Sequence, residues 1–369
     1  MSLDPVRRNE AKIESVDARL LVVPLPPAMT YFGYQSINVP FVTIRDTDGI
    51  EATGFTYTLD AGANIVCRMV EEVVAPALVG TFPDEWQSTR SSLLSSTRRL
   101  GATAFVAALS AVDIAVWDLR GLRENRPLYA LLGGSTKDVP FYGSGRSGDR
   151  MTTDELVRHS QEYLGDGFDA VKIGIGVGEP ARDVARVRAV RDAIGEGHRL
   201  MVDAAERLSV ADALWIGKRL EEFDLYWFEE PLLAEDVQGY SMLADRLSIP
   251  IATGEHFQQS STFERYFRET GVAIYQPDAA LGGGITEMLT VAELARANHR
   301  PLAWHSLADL HVHIASCAPT TRYIEDFPIL DRVIADPLRP SGGVAVAPSR
   351  PGHGIVWDRD AVEAYGRPG

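Results

Sequence analysis

Hydrophobic positions follow two rhythms along this chain, and the change comes at about residue 139. Before it, Ile13 to Val23 reads as a strand. Phe41 to Arg45 and Glu51 to Tyr57 alternate on either side of Asp46-Thr47-Asp48-Gly49, a hairpin turn. Helical patterns follow at Ala63 to Leu78 and at Ala104 to Leu132, the second stopping at Gly133-Gly134. Strands and then helices predict a separate α+β domain.

After residue 139, eight short apolar runs read as strands: Val139 to Tyr142, Ala170 to Ile173, Leu200 to Asp203, Leu225 to Glu229, Pro250 to Thr253, Val272 to Gln276, Pro301 to Trp304 and Arg322 to Glu325. Amphipathic helices separate them: Thr153 to Leu164, Arg182 to Ile194, Ala211 to Glu221, Gln238 to Arg246, Phe263 to Glu269, Ile285 to Ala297 and Leu310 to Ala318. This alternation predicts a (β/α)8 barrel, or one whose last helix is altered. The repeat is architectural, with no self-similarity of sequence. The Pro/Gly-rich tail from Pro337 is expected to leave the barrel and pack across the first domain. The expected division is a capping domain over 1–136, joined by the tail 337–369, and a barrel over 137–336.

The three acids Asp203, Glu229 and Glu255 each close an apolar run, and each is 26 residues from the next. A strand, a helix and two short loops take about that many residues, so the acids recur at successive strand ends. In a parallel barrel those ends share one rim, the rim that carries active sites. Three converging carboxylates repel one another unless a cation stands between them, and hard oxygen donors suit Mg2+. Other strand ends carry Lys172, Asp278, His305 and Glu325. A lone acid there is ordinarily a helix cap; seven polar groups at barrel periodicity point to a site.

Composition narrows the partners. The 369 residues are 45% hydrophobic and 24% charged, an ordinary globular balance. The net charge of −15 argues against nucleic acid, which needs a basic face, but permits an anionic small molecule beside a bound dication. Cys67 and Cys317 form no metal or disulfide pattern. No run reaches the length of a membrane span, and Met1 to Lys12 lacks the apolar stretch of a signal peptide, so a cytoplasmic location is expected.

With these residues in view, the chain resembles the enolase superfamily, in its mandelate racemase/muconate lactonizing enzyme-like branch and the mandelate racemase subgroup. The segments that carry the likeness are Trp227-Phe228-Glu229-Glu230-Pro231, Thr253-Gly254-Glu255, and Gln276-Pro277-Asp278 with Gly282-Gly283-Gly284-Ile285-Thr286-Glu287. The resemblance implies a (β/α)7β barrel under a cap built from both chain ends. It implies Mg2+ held by Asp203, Glu229 and Glu255, and proton removal next to a substrate carboxylate. Asp278 and His305 resemble the catalytic dyad, and Glu325 the acid that hydrogen-bonds the substrate carboxylate. Lys172 matches the first lysine of a Lys-x-Lys motif. Gly174 stands where the second lysine, the base on the opposite face, would be. Lys172 then serves to neutralise the substrate carboxylate, to support the metal site, or as a substitute base.

The missing lysine favours elimination over racemisation. One imidazole can take the α-proton and return it to a departing hydroxyl on the same face. The expected reaction is therefore dehydration of a sugar acid to a 2-keto-3-deoxy acid. A racemase, epimerase or cycloisomerase, or a homologue with altered activity, remains open. Candidate substrate contacts are Tyr31 in Thr30-Tyr31-Phe32-Gly33-Tyr34, a lid-like segment, with Tyr57, Arg146 and His256. His311 and His313 read as packing or surface groups, and Cys317 in the same helix as buried. Barrels of this type often assemble, so a homo-oligomer is expected.

Overall fold

The computed structural model describes residues 11–26, 33–59, 61–97, 103–146, 148 and 150–367. The first domain opens with an antiparallel sheet of β1 (Ile13–Pro24), β2 (Ser36–Asp46), β3 (Glu51–Phe55) and β4 (Thr58–Leu59). Helices α1 (Ala63–Met69), α2 (Ala75–Leu78), α3 (Trp86–Ser96), α4 (Thr103–Glu124) and α5 (Leu128–Leu131) follow. The helix expected over Ala63 to Leu78 is interrupted by a π turn, Val70–Val74. Pro76 lies at the start of α2; it donates no amide and its ring crowds the preceding turn, so the backbone widens there. The helix expected to run on to Leu132 stops at Glu124, because Pro127 cannot continue it. Helix α3 has no counterpart in the apolar pattern, since its Ser-, Thr- and Gln-rich turns bury only Trp86, Arg90 and Leu93.

The barrel strands are β5 (Val139–Gly143), β6 (Ala170–Gly174), β7 (Arg199–Asp203), β8 (Trp227–Glu229), β9 (Ile251–Thr253), β10 (Ile274–Tyr275), β11 (Leu302–Trp304) and β12 (Thr321–Asp326). Each pairs in parallel with the next, and β12 pairs with β5 to close the ring. The seven intervening helices are α6 (Thr153–Gly165), α7 (Pro180–Ile194), α8 (Val210–Leu220), α9 (Val237–Arg246), α10 (Ser260–Glu269), α11 (Gly284–Ala297) and α12 (Ala308–Cys317). No helix directly follows β12, so the architecture is (β/α)7β with an α+β cap. The tail contributes β13 (Val344–Ala345), which pairs with the start of β5, then α13 (Arg359–Tyr365) and β14 (Gly366–Arg367), which joins β1 in the cap sheet. Trp357 of the tail packs edge-on against Phe41 and Phe55 of that sheet. Among the described residues no helix is long and apolar enough to cross a membrane.

The glycine run of the sequence locks cap to barrel. Gly284 has φ +87°, and a Cβ there would lie 2.4 Å from Asp113 of α4, so only glycine fits. The Asp113 carboxylate accepts from the Thr286 amide at 2.9 Å and from the Trp86 indole at 2.6 Å. Ser110 Oγ accepts from the Gly283 amide at 2.8 Å.

His313 of α12 is fully buried, not at the surface. Its Nδ1 accepts from the Tyr129 amide at 3.2 Å and its Nε2–H donates to the His353 carbonyl at 3.0 Å, which fixes a neutral ring. Burial holds its pKa down to about 3. A depressed folded value contributes stability that is full above the unfolded value of 6.5 and is lost as pH falls toward 3. We expect His313→Gln to flatten the acid limb of the unfolding free energy by at most about 1.4 kcal/mol per pH unit. Denaturant titrations across that window check it, and an unchanged slope would remove His313 from the acid response.

Candidate active site

Period-two alternation builds the site. One residue from every barrel strand meets in an apolar plug: Tyr142, Ala170, Met201, Trp227, Ala252, Ile274, Ala303 and Tyr323. Two positions later, within each strand or just past its end, stand Ser144, Lys172, Asp203, Glu229, Gly254, Gln276, His305 and Glu325. Side chains two apart face the same way, so this second layer lies above the plug at the C-terminal mouth. Five of its eight members are ionisable. Charge inside a barrel is costly unless it is paired, which marks this layer as a site and not as core.

Glu255 is one residue out of step with the layer, and Gly254 explains why. Its φ is +137°, and a Cβ there would lie 2.9 Å from the Gln276 amide nitrogen. The chain turns at a position that only glycine fits, and Glu255 swings back over the mouth. Its Oε2 lies 3.4 Å from His305 Nε2. Similar turns follow other strand ends, where non-glycine residues hold positive φ: Ala205 (44°) and Glu206 (61°) after Asp203, Glu230 (36°) after Glu229, and Ser306 (47°) and Leu307 (45°) after His305. Backbone strain of this kind persists where the surroundings enforce it, and functional loops are where it gathers.

Lys172 is buried at the centre of the acids. Its ammonium donates to Glu229 Oε1 and to Glu325 Oε1 (2.9 Å), and lies 3.4 Å from Asp203 Oδ2. Burial works against that charge, but Glu229 and Glu325 together raise its pKa well above the ordinary value. Glu325 is held down to about 2: burial opposes its charge, and Lys172 and then His305 overcome it. Glu229 is fully buried, and burial pushes it up although Lys172 offsets part of that shift; its Oε2 accepts from the Trp227 indole at 2.8 Å. Asp203 Oδ1 accepts from the Ala205 amide at 2.8 Å.

Across the mouth stands the dyad. His305 Nδ1–H donates to Asp278 Oδ2 at 2.8 Å. That leaves Nε2 toward the cavity, 3.2 Å from Ser306 Oγ and 3.7 Å from Glu325 Oε2. Burial disfavours the imidazolium, but Glu255 and the Asp278 hydrogen bond raise the ring to about 10. Asp278 is fully buried, which opposes its charge, yet the His305 hydrogen bond and charge lower its pKa overall. Its Oδ1 accepts from the amides of Ala280 (2.7 Å) and Leu281 (3.3 Å).

The sequence reading missed several members. His311 is fully buried, which selects packing over the surface alternative, and it ties together the two loops that carry the dyad, a role the sequence does not show. Its Nε2 accepts from the Ala279 amide and its Nδ1–H donates to the Ser306 carbonyl, both at 3.0 Å. Its helical setting gave no signal of this. Gln276 is fully buried in the charged layer with neither carboxamide atom hydrogen-bonded in the described structure; parity with the plug would have found it. Beside the trio lies a second cluster, Glu206, Glu230 and His256, whose ligand-type atoms all fall within 4.8 Å of one another. His256 Nδ1 is 3.1 Å from Glu230 Oε2 and 3.9 Å from Glu255 Oε1. Burial opposes its charge, but the Glu230 hydrogen bond and Glu255 raise it to about 11, while burial raises Glu230 to about 8.

The structure brings Lys172, Asp203, Glu229, Glu255, Asp278, His305, Glu325, Tyr57 and His256 to one mouth. The trio itself is spread by its partners: Asp203 and Glu229 flank Lys172, while Glu255 lies between His305 and His256. Arg146 is exposed, 3.4 Å from Asp166 and stacked over Tyr163, and makes no described contact with the trio or the dyad. Tyr31 lies outside the described residues. A cleft of about 610 Å³ opens at the other mouth of the barrel, lined by Arg199, Tyr226 and Pro250. Strand polarity places barrel chemistry at the opposite, C-terminal end.

Comparison with known proteins agrees with this geometry. Residues 155–361 match the model of the enolase C-terminal domain-like family, and residues 11–133 match the mandelate racemase / muconate lactonizing enzyme N-terminal domain. A 3,6-anhydro-alpha-L-galactonate cycloisomerase of Streptomyces coelicolor is 34% identical over 94% of this chain and 97% of its own. The L-talarate/galactarate dehydratase of Salmonella typhimurium is 30% identical over 92% of this chain and 87% of its own. The crystal structure of a racemase from Streptomyces coelicolor with bound magnesium superposes with a TM-score of 0.91 at 32% identity, covering 96% of this chain and 100% of the other. This chain belongs to the enolase superfamily, in its mandelate racemase/muconate lactonizing enzyme branch.

Proposed function

We propose that this protein is a magnesium-dependent sugar-acid dehydratase that removes the α-proton of its substrate with His305. The observation that carries the reading is the placement of His305 Nε2 at the mouth, beside Glu255 and Glu325 with Lys172 on the far side of Glu325, and with Nδ1 committed to Asp278. Similarity to a sugar-acid dehydratase and to a magnesium-bound structure supports it.

The residues fit the metal. Asp203, Glu229 and Glu325 share one ammonium, Lys172, while Glu255 stands beside His305 Nε2, and this gathering of carboxylates suits a hard divalent cation with oxygen ligands. Asp203, Glu229 and Glu255 would hold it. When bound, the ion would stabilise the negative charge that develops on the substrate carboxylate.

The chain's own groups do the rest. Glu325 and Lys172 stand where a substrate carboxylate would meet a hydrogen-bonding acid and a counter-charge. Neutral His305 Nε2 takes the proton from the carbon next to that carboxylate; Glu255, first among the groups that raise the ring, would be engaged by the bound cation, and Asp278 orients the ring and stabilises its charge. The imidazolium then protonates the hydroxyl on the neighbouring carbon. The carbon–oxygen bond breaks, water leaves, and the enol product rearranges to a 2-keto-3-deoxy acid. Ser306 and Glu325 line the path of the Nε2 proton. His256, half-exposed beside Glu255 and anchored by Glu230, is placed to contact the distal hydroxyls of the substrate.

A second reading has one specific observation behind it, the 34% identity to a cycloisomerase. Where the departing oxygen belongs to a ring ether of the substrate, the same elimination opens the ring and releases no water. Two-base racemisation is disfavoured because Gly174, on the Lys172 face of β6, offers no side chain.

A panel of mono- and diacid sugars with Mg2+ in D2O, followed by NMR and mass spectrometry, tests the reading. A keto acid lighter by one water is the expected product. A keto acid of unchanged mass would indicate ring opening. Deuterium at the α-carbon without keto acid would indicate epimerisation, and no change in any acid would remove the enzymatic reading.

A further inference from the structure

The capping domain sends one hydroxyl into the dyad. Tyr57, just beyond β3, is buried, and its O–H donates to Asp278 Oδ2 at 2.9 Å. That oxygen also accepts from His305 Nδ1–H, and the phenol oxygen lies 3.4 Å from the same ring nitrogen. The neighbouring residue repeats the connection: Thr56 Oγ1 donates to the Ala280 carbonyl at 2.7 Å. Thr56 and Tyr57 thus clasp the Asp278–Ala280 loop from above. They reach into it from a sheet that otherwise packs against α1, α2, α4 and the tail.

We propose that Tyr57 is a positioning residue for the dyad, through which a docked cap sets the orientation and hydrogen-bond strength of Asp278. Four donors surround the Asp278 carboxylate: two backbone amides on Oδ1, and the phenol and imidazole on Oδ2. The amides fix the plane of the carboxylate. The phenol holds Oδ2 from the cap side and shares it with the imidazole, so neither donor has the oxygen to itself. The arrangement also closes the cap side of the dyad to water, since Thr56 is fully buried and Tyr57 is 6% exposed. A tyrosine whose hydroxyl is committed in this way does not reach for substrate. That separates the present role from the substrate contact expected from the sequence. The barrel carries both members of the dyad, yet the described contacts complete it only with a residue from the other domain.

The inference rests on the reading of Asp278 and His305 as the proton-moving pair, and its test separates the two. Tyr57→Phe keeps the ring and removes the hydroxyl. We expect kcat to fall about ten-fold, on the scale of one hydrogen bond to a charged group, with KM within about two-fold of the parent. The melting temperature should stay close to the parent's. The most downfield imidazole proton, assigned by its loss in His305→Asn, should move further downfield because His305 then has Oδ2 alone. Thr56→Val loosens the same clasp without touching Asp278 and should cost less than Tyr57→Phe. An unchanged kcat, a rise in KM alone, or an equal or larger loss in Thr56→Val would overturn the proposal. If no acid is turned over by the parent protein, the functional reading fails, and the shift of the imidazole proton still decides whether Tyr57 acts on the dyad.

Discussion

His305→Asn is expected to lower turnover by about a thousand-fold or more while magnesium still binds. A positioned general base contributes roughly 10²–10⁴ in rate, and no neighbouring group can replace this one. Lys172 is committed to Glu229 and Glu325, and Gly174 offers nothing from the other face. The loop should survive the change. Asp278 keeps the amides of Ala280 and Leu281 and the Tyr57 hydroxyl. His311 keeps its bonds to Ala279 and Ser306. Of the proposed metal ligands only Glu255 loses a neighbour, at 3.4 Å. Steady-state rates and calorimetric titration with Mg2+ check both halves. Full activity, or loss of magnesium binding together with activity, would take His305 out of its role.

Asp203→Asn is expected to weaken magnesium binding by at least about a hundred-fold, and activity at ordinary magnesium concentrations should fall with it. Loss of a group that merely orients a ligand typically costs 10–100-fold in affinity, and a ligand carboxylate should cost no less. The substitution is nearly isosteric and retains an oxygen for the Ala205 amide. Lys172 loses only its 3.4 Å contact and keeps two closer carboxylates, so the fold should hold. Calorimetry of the parent and variant proteins, with thermal unfolding alongside, measures the effect. Unchanged affinity would move the metal away from Asp203. The cluster of Glu206, Glu230 and His256 would then be the place to look.

Much of this site is legible in the sequence because barrel geometry writes it at a fixed spacing. Apolar runs bounded by turns locate the strands, and the first polar residue after each run lies at the mouth. That is why Lys172, Asp203, Glu229, His305 and Glu325 can be named from spacing alone. Glu255 is found for a different reason: the 26-residue repeat reaches it, although strict alternation points to Gly254. Only the left-handed turn at Gly254 reconciles the two.

What escapes the sequence is whatever depends on contacts between distant segments. His311 looks like any residue of an apolar helix, and its ties to Ala279 and Ser306 arise from loop packing that periodicity cannot show. Tyr57 reads as a candidate substrate contact, but its hydroxyl is taken up by a carboxylate 221 residues away. The glycine run at 282–284 resembles a binding loop in composition. Gly284 instead admits Asp113 from the cap, a role visible only once both domains are placed. Arg146 is a position that the sequence leaves open: it stands after the first barrel strand, where a substrate clamp and a surface salt bridge are both compatible with its pattern, and its side chain goes to Asp166. Helix α3 was hidden because most of its surface is polar, and burial of so few side chains leaves little apolar rhythm.

The most direct test of the account is anomalous diffraction from crystals of His305→Asn soaked with Mn2+ and an acid sugar identified by the substrate panel. The account predicts one metal peak bounded by Asp203, Glu229 and Glu255. It also predicts a substrate carboxylate between that peak and Glu325, and an α-carbon facing residue 305. A metal seated instead among Glu206, Glu230 and His256, or a substrate whose α-carbon faces Gly174 and away from residue 305, would contradict it.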